Sequence, residues 1–187
     1  MKQAAYCLFE TPVGTCGLGW LDTGDSRSMP AVAFLQLPEA TPQATELRIA
    51  NEFGGSRADA RPPAIAQVIR KIVKHLRGEL QDFHDVPLNL CAVGAFDRQV
   101  YEAALQIPVG ETRTYGELAK AVGRPTEARA VGQALARNPI PIIIPCHRVL
   151  AAGGRFGGFS AHGERAMKAR LLAIEGAKAP GLLPFPV

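Results

Sequence analysis

The chain has 187 residues, 47% of them hydrophobic and 20% charged, which fits a folded soluble protein of one ordinary domain or two small ones and excludes a disordered chain. Its longest apolar run falls far short of the ~20 residues a membrane span requires, and the opening "MKQAAYCLFETPVG" lacks the apolar core of a secretory signal, so a cytoplasmic location is expected. The net charge of +4 is uneven: from Phe96 onward 12 Lys and Arg stand against 7 Asp and Glu, whereas the first 95 residues hold 9 against 10, so the second half suits either a polyanionic partner or an ordinary solvated surface.

The first residues, "AAYCLFETPVGTCGLGWLD", read as strand and turn, with β-favouring residues interrupted by Pro12, Gly14 and Gly17. A second short strand is expected over Ala31–Pro38. After a Pro-Pro start, Ile65, Val68, Ile69, Ile72, Val73 and Leu76 recur at three and four residues, the mark of an amphipathic helix. Val86, Leu88 and Leu90 then alternate like a strand. Cys7, Cys16, Cys91 and Cys146 contain no CxxC pair, so their spacing supports neither a zinc site nor a disulfide framework.

The second half begins with a helix carrying Phe96, Val100, Ala103, Ala104 and Ile107 on one face and broken at "PVG". Thr114 and Glu117 form a capping-box pattern, and Gly123 closes the helix they start. A further helix is expected after Thr126, stopped by Asn138-Pro139. Two short helices separated by Gly123–Thr126 have the spacing of a helix-turn-helix. The second helix is nearly all small residues, with Ala130 and Gly132 in "RAVGQALA". Such a surface serves either close packing on a neighbour or close approach to another backbone such as DNA, where Arg129 and Arg137 would reach phosphates or the base stack.

The run "NPIPIIIPCHRV" reads as a buried extended segment between prolines that ends in Cys146, His147 and Arg148. Burial alone favours an inert thiol with a raised pKa, whereas a nearby base would make it a nucleophile. His147 is adjacent in sequence, and neighbouring strand residues face opposite ways, so it would act from a bent backbone or through water.

"IPCHRV", together with the whole stretch from Phe96 to Val149 and the closing "GGFSAHGERAMKARLLAIEGA", resembles the O6-alkylguanine-DNA alkyltransferase family. The resemblance implies an α+β chain: a small N-terminal α/β, ribonuclease H-like domain over residues 1–92 and a C-terminal winged-helix-like helix-turn-helix domain over residues 93–187. It implies direct reversal of DNA damage, with the alkyl group of O6-alkylguanine, and by extension O4-alkylthymine, moved irreversibly to Cys146 in a single turnover. His147 resembles the residue that takes the thiol proton through a water, Glu175 the carboxylate that polarises it, and Tyr115 the tyrosine that turns the 3′ phosphate and protonates the departing guanine. Arg129 resembles the arginine that fills the vacated stack, with Thr114, Ala130 and Gly132 along the DNA. Asn138 resembles the asparagine bracing the active-site segment. Pro141, Val149, Phe159 and Ser160 resemble pocket and lid residues, and Arg148 a structural residue behind the site. The partner implied is double-stranded DNA containing O6-alkylguanine, bound by a monomer, with no membrane, metal or cofactor. Phe159 departs from the family's frequent tyrosine, and the stretch from Val149 to Leu171 is about two residues longer than usual. The competing classes are a non-catalytic lesion binder or helix-turn-helix regulator of the same fold, and a Cys-His hydrolase, for which the sequence offers no Asn or Asp orienter.

Overall fold

The computed structural model describes residues 3–22, 29–156 and 162–177. The chain forms two compact units, Met1–Cys91 with Pro139–Pro141, and Ala92–Asn138 with Ile142–Val187. Both helices and sheet are present, a mixed α/β chain. Among the described residues no helix is long and apolar enough to cross a membrane.

The first unit is built on a hairpin. β1 (Gln3–Thr11) and β2 (Gly14–Asp22) pair antiparallel from Gln3↔Asp22 to Thr11↔Gly14, so Pro12 and Val13 alone make the connection. β3 (Ala31–Gln36) adds on the far side of β2, and the two-residue β4 (Ser56–Arg57) lies parallel to β1, giving the order β3-β2-β1-β4. Helix α1 (Pro42–Glu52) packs on β2 where glycines leave room. A Cβ at Gly19 would stand 2.6 Å from the Phe53 ring, and one at Gly17 2.9 Å from Ile49 Cδ1. Helix α2 (Pro63–Leu76) packs on β1. It buries Ile65, Val68, Ile69, Ile72 and Leu76, the periodic residues expected, apart from half-buried Val73; each fully buried side chain contributes roughly 1.5–3 kcal/mol.

Two expectations for this unit need correction. α1 was not anticipated, because only Thr45 and Ile49 of its residues are buried and no apolar stripe marks it; Thr41, whose side chain accepts from Ala44 N, and Pro42 were its signals. The strand expected over Val86–Leu90 is a single bridge, Leu88 to Val32. There Val32 N donates to Pro87 O and Asn89 N to Val32 O, and the chain does not continue the ladder. Farther along the same edge, Leu35 N donates to Pro139 O at 2.8 Å.

In the second unit α3 (Ala95–Leu105), α4 (Tyr115–Ala121) and α5 (Ala128–Ala136) pack on one another. The buried Tyr101 hydroxyl donates to Ala134 O at 2.9 Å, fixing α3 to α5. The capping box at α4 is complete: Thr114 Oγ1 accepts from Glu117 N, and Thr114 N donates to Glu117 Oε2. Gly123 follows α4 at φ 74, the left-handed position a helix-ending glycine serves. Thr126 does not cap α5; the cap is Glu127, which makes no side-chain capping bond and pairs instead with Arg124. A parallel ladder of two residues each, β5 (Arg113–Thr114) with β6 (Val149–Leu150), sets the start of α4 beside the chain that leaves Cys146. The last helix, α6 (His162–Ile174), packs on the turn at Cys146–Arg148.

Candidate active site

The isoleucines of the segment from Asn138 to Cys146 are buried as expected, but the segment is not extended. Turns replace the strand, because Pro139, Pro141 and Pro145 leave few residues free to bend and the bends that remain are sharp. Asn138 Nδ2 donates to Ile144 O at 2.9 Å, closing a loop. Pro145 sits at φ −82, ψ 61, and Cys146 N donates to Ile144 O at 2.8 Å, which is an inverse γ-turn. Ile142 has φ 72, the only positive φ outside glycine among the described residues. For a β-branched residue this conformation costs on the order of 1–3 kcal/mol.

Cys146, His147 and Arg148 then form a short 3-10 turn. The turn removes the difficulty of opposite-facing neighbours, since helical neighbours are about a third of a turn apart rather than half. Cys146 retains some exposed surface, while His147 and Arg148 are buried. Desolvation raises the Cys146 thiol above its ordinary value; a hydrogen bond from the Asn138 side chain and the charge of Lys168 act in the opposite direction.

Behind the thiol lies a buried charge network. His147 Nε2 is 3.0 Å from Glu175 Oε1. Arg148 holds the same carboxylate in a fork, Nε to Oε2 at 2.9 Å and Nη2 to Oε1 at 2.8 Å, and its Nη1 donates to Ile107 O at 2.6 Å. This fork is what satisfies a carboxylate that is only 4% exposed. Burial pushes the His147 imidazole below its ordinary pKa, with Glu175 pulling it back up and Arg148 and Lys168 pushing it down. The ring is therefore neutral near pH 7. The hydrogen-bond pattern assigns its proton to Nε2, facing the carboxylate. Nδ1 is left as a lone-pair acceptor, buried and without a hydrogen-bond partner among the described residues.

Tyr115 opens α4 and is half-buried, its phenol raised by burial and by Cys146. Sequence reasoning missed its neighbour Lys168. From α6, Lys168 Nζ donates to Val149 O at 2.5 Å and lies 5.7 Å from the centre of the Tyr115 ring. Burial brings its pKa down to about 8. A lysine in a helix ordinarily reads as a solvated group; the signal available was its seven-residue spacing from Glu175, two turns along the same helix face.

The outer face of α5 differs in kind. Val131, Ala134 and Leu135 point inward, while Arg129 is exposed and makes no ion pair among the described residues. Arg137, expected to be free for phosphates, is instead held by Asp97, Nε to Oδ2 at 3.1 Å and Nη2 to Oδ1 at 3.0 Å. Ala130 and Gly132 are half-buried. A Cβ on Gly132 would meet the Tyr115 ring at 3.7 Å, an ordinary contact, so close packing within the protein does not require glycine there. Thr114 caps α4, Val149 is buried in β6 and Pro141 is half-buried. Phe159 and Ser160 lie outside the described residues. Among the described residues no group of three or more His, Cys, Asp or Glu is arranged to hold a metal ion.

The family model for the DNA-binding domain of 6-O-methylguanine DNA methyltransferase matches residues 95–177. A methylated-DNA–protein-cysteine methyltransferase of Mycolicibacterium paratuberculosis is 39% identical over 155 residues, 81% of this chain and 92% of that protein. One from Methanosarcina acetivorans is 35% identical over 172 residues, 91% and 97% of the two chains. Among solved structures, the O6-methylguanine methyltransferase of Mycobacterium tuberculosis aligns with a TM-score of 0.71 at 33% identity, covering 96% of each chain. The same organism's OGT in complex with DNA aligns at 0.69 and 33% identity, covering 96% of this chain and 98% of that one.

Proposed function

The chain belongs to the methylated-DNA–protein-cysteine methyltransferase family, and from that premise we propose that Cys146 is the cysteine that receives the alkyl group. The protein repairs DNA by alkyl transfer from O6-alkylguanine to itself. The observation that carries the assignment is the His147 imidazole, fixed at Nε2 by Glu175 and presenting an unpartnered Nδ1 in the turn that begins at Cys146.

In the proposed reaction the Cys146 proton passes through a water to His147 Nδ1, and Glu175 stabilises the imidazolium that forms. Burial opposes ionisation of the thiol, and the Asn138 hydrogen bond and the Lys168 charge offset part of that cost. The thiolate attacks the alkyl carbon in line, a C–S bond forms and the C–O6 bond breaks. Tyr115 supplies a proton to the departing guanine, and the proton held on His147 returns through solvent to the Tyr115 phenolate, so the sum is S-alkylcysteine and guanine. Nothing in the site reverses a thioether, so each molecule acts once, and the scheme uses no cofactor.

A base inside a duplex is out of reach, so the nucleotide is flipped, at a cost of about a few kcal/mol. Arg129, exposed and without an ion pair among the described residues, is suited to occupy the vacated stack, and the low surface at Ala130 and Gly132, beside the capped turn at Thr114, is suited to follow a groove. Asn138, Pro141 and Val149 bound the pocket in this reading. The finer architecture proposed is a ribonuclease H-like domain over residues 1–92 and a winged-helix-like domain over 93–187, in a monomeric, cytoplasmic protein.

Incubation with a duplex containing O6-methylguanine, followed by intact-mass measurement, tests the assignment. A gain of one methylene mapped to Cys146, and lost in Cys146→Ser, is expected. Unchanged mass with retained lesion binding would replace it with the non-catalytic binder.

A further inference from the structure

We infer that Ile142 is a positioning residue for this reaction: its left-handed backbone makes the reversal that closes the Asn138 loop and aims Cys146. The inference rests on the reading of Cys146 as the acceptor.

The prolines carry the first step. Pro139, Pro141 and Pro145 hold their own φ near −65°, and each keeps the residue before it, Asn138, Ile140 or Ile144, out of the helical region. Between Asn138 and Pro145 only Ile142 and Ile143 escape both restraints. The chain must nevertheless turn back within this stretch, because Asn138 Nδ2 reaches Ile144 O at 2.9 Å. Ile142, at φ 72, supplies the reversal.

The second step runs through one carbonyl. Ile144 O accepts both Asn138 Nδ2 and Cys146 N, the latter at 2.8 Å. Asn138 also hydrogen-bonds the thiol. A change in the reversal therefore moves the γ-turn that presents Cys146 and the side chain that braces its sulfur. Residue type and conformation conflict at this point. The Ile142 side chain is fully buried, which an isoleucine serves well, whereas the backbone conformation is one that glycine serves best. Burial of the side chain holds the strained backbone in place.

Ile142→Gly and Ile142→Ala lose nearly the same buried contacts and differ in their tolerance of positive φ. At an ordinary position alanine gives the more stable protein. Here Ile142→Gly is expected to be the more stable by about five-fold in the unfolding constant, measured in urea. Single-turnover transfer from an O6-methylguanine duplex, at a temperature where both are folded, is expected to be several-fold faster in Ile142→Gly, with equal DNA affinity. Alkylation of Cys146 by iodoacetamide without DNA should show the same order. Alanine equal to or above glycine in stability, or equal transfer rates, would overturn the inference. If truncation unfolds both, Ile142→Leu and Ile142→Val keep most of the buried volume and give the same contrast, with unbranched Leu expected above Val in stability and rate; the reverse order overturns it. Failure of the parent protein to gain a methyl group on Cys146 would sink the functional reading instead, and the stability order would still judge the backbone claim.

Discussion

The charge network behind Cys146 and the outer face of α5 treat polar groups in opposite ways. Behind the thiol, Glu175, Arg148 and His147 are buried and bonded to one another, Arg148 also to Ile107 O, and among the described residues His147 Nδ1, the proposed proton acceptor, is left without a partner. On α5, Arg129 is exposed and makes no ion pair among the described residues, and the surface beside it is held low by Ala130 and Gly132. In the proposed reaction, groups that stay fixed during bond exchange are satisfied internally, and groups proposed to meet DNA keep their bonding capacity for it. Arg137 shows the distinction within one helix: it was a candidate for phosphate on charge alone, and its fork to Asp97 makes it part of the scaffold.

The largest effects should come from breaking the buried side. Glu175→Ala strands a buried guanidinium, and a loss of about 3–5 kcal/mol in urea unfolding is expected, together with loss of transfer. His147→Ala removes the proposed base and leaves the Arg148 fork intact. Its transfer rate should fall by roughly 10²–10⁴, with lesion binding unchanged in a gel-shift titration. Equal losses of binding and rate would mean that the two regions are not separable.

A pH profile sharpens the same contrast. Because burial depresses the His147 pKa, the base stays neutral below the usual imidazole range, and the acid limb of the transfer rate should lie below about 6.5. On the alkaline side Lys168 loses its charge as pH rises through about 8, removing a cation that favours the thiolate. Transfer should level or decline there, and Lys168→Met should abolish that limb while raising the thiol pKa measured by iodoacetamide. The stability term has the opposite sign. With the folded pKa depressed, the unfolded chain binds the extra proton between about 8 and the ordinary lysine value, so this lysine's contribution favours folding more as pH climbs across that window.

What could be read from the sequence follows the same division. Elements set by local rules were legible: α2 from its apolar period, α4 from Thr114 and Glu117, and a strand and turn at Pro12 and Gly14, although Gly17, read as a further break, lies within β2. α1 was not, because its cover over Gly17 and Gly19 rests on Ile49 and on Phe53 just past its end, too few residues to make a stripe. The alternation at Val86–Leu90 was legible and misleading, since a single bridge to Val32 is all the edge accepts. At the site, Cys146, His147 and Glu175 came from a resemblance; spacing alone left Cys146 undecided between inert thiol and nucleophile. The resemblance did not point to Lys168, and its spacing from Glu175 marks a shared helix face but not burial, which depends on the packing of α6 against the chain after Cys146. The turns of the Asn138 loop were hidden for a related reason. Three prolines read as extended chain one residue at a time, and the reversal at Ile142 becomes visible only once Asn138 is seen to meet Ile144.

Changes on α5 should leave the fold almost untouched. Arg129→Ala is expected to alter stability by no more than about 0.5 kcal/mol. It should weaken binding to lesion DNA by roughly tenfold, equal to about 1.4 kcal/mol. Calorimetric unfolding and a salt-matched titration measure the two quantities independently, and a large stability loss would return Arg129 to the scaffold alongside Arg137.

The smallest expected change is the most discriminating. Gly132 sits inside α5, where alanine is preferred by about 0.5–1 kcal/mol, and an added Cβ meets only the Tyr115 ring at an ordinary contact distance. The isolated protein should therefore gain stability in Gly132→Ala, by a degree or more in thermal unfolding. Its affinity for duplex DNA should nevertheless fall, because the methyl group raises a surface proposed to lie along the groove. A stability gain coupled to a binding loss has no explanation in internal packing, since a glycine required by the fold would lose on both measurements. If Gly132→Ala is instead destabilised, the close approach that glycine permits is to Tyr115 itself, and the low surface of α5 belongs to the scaffold.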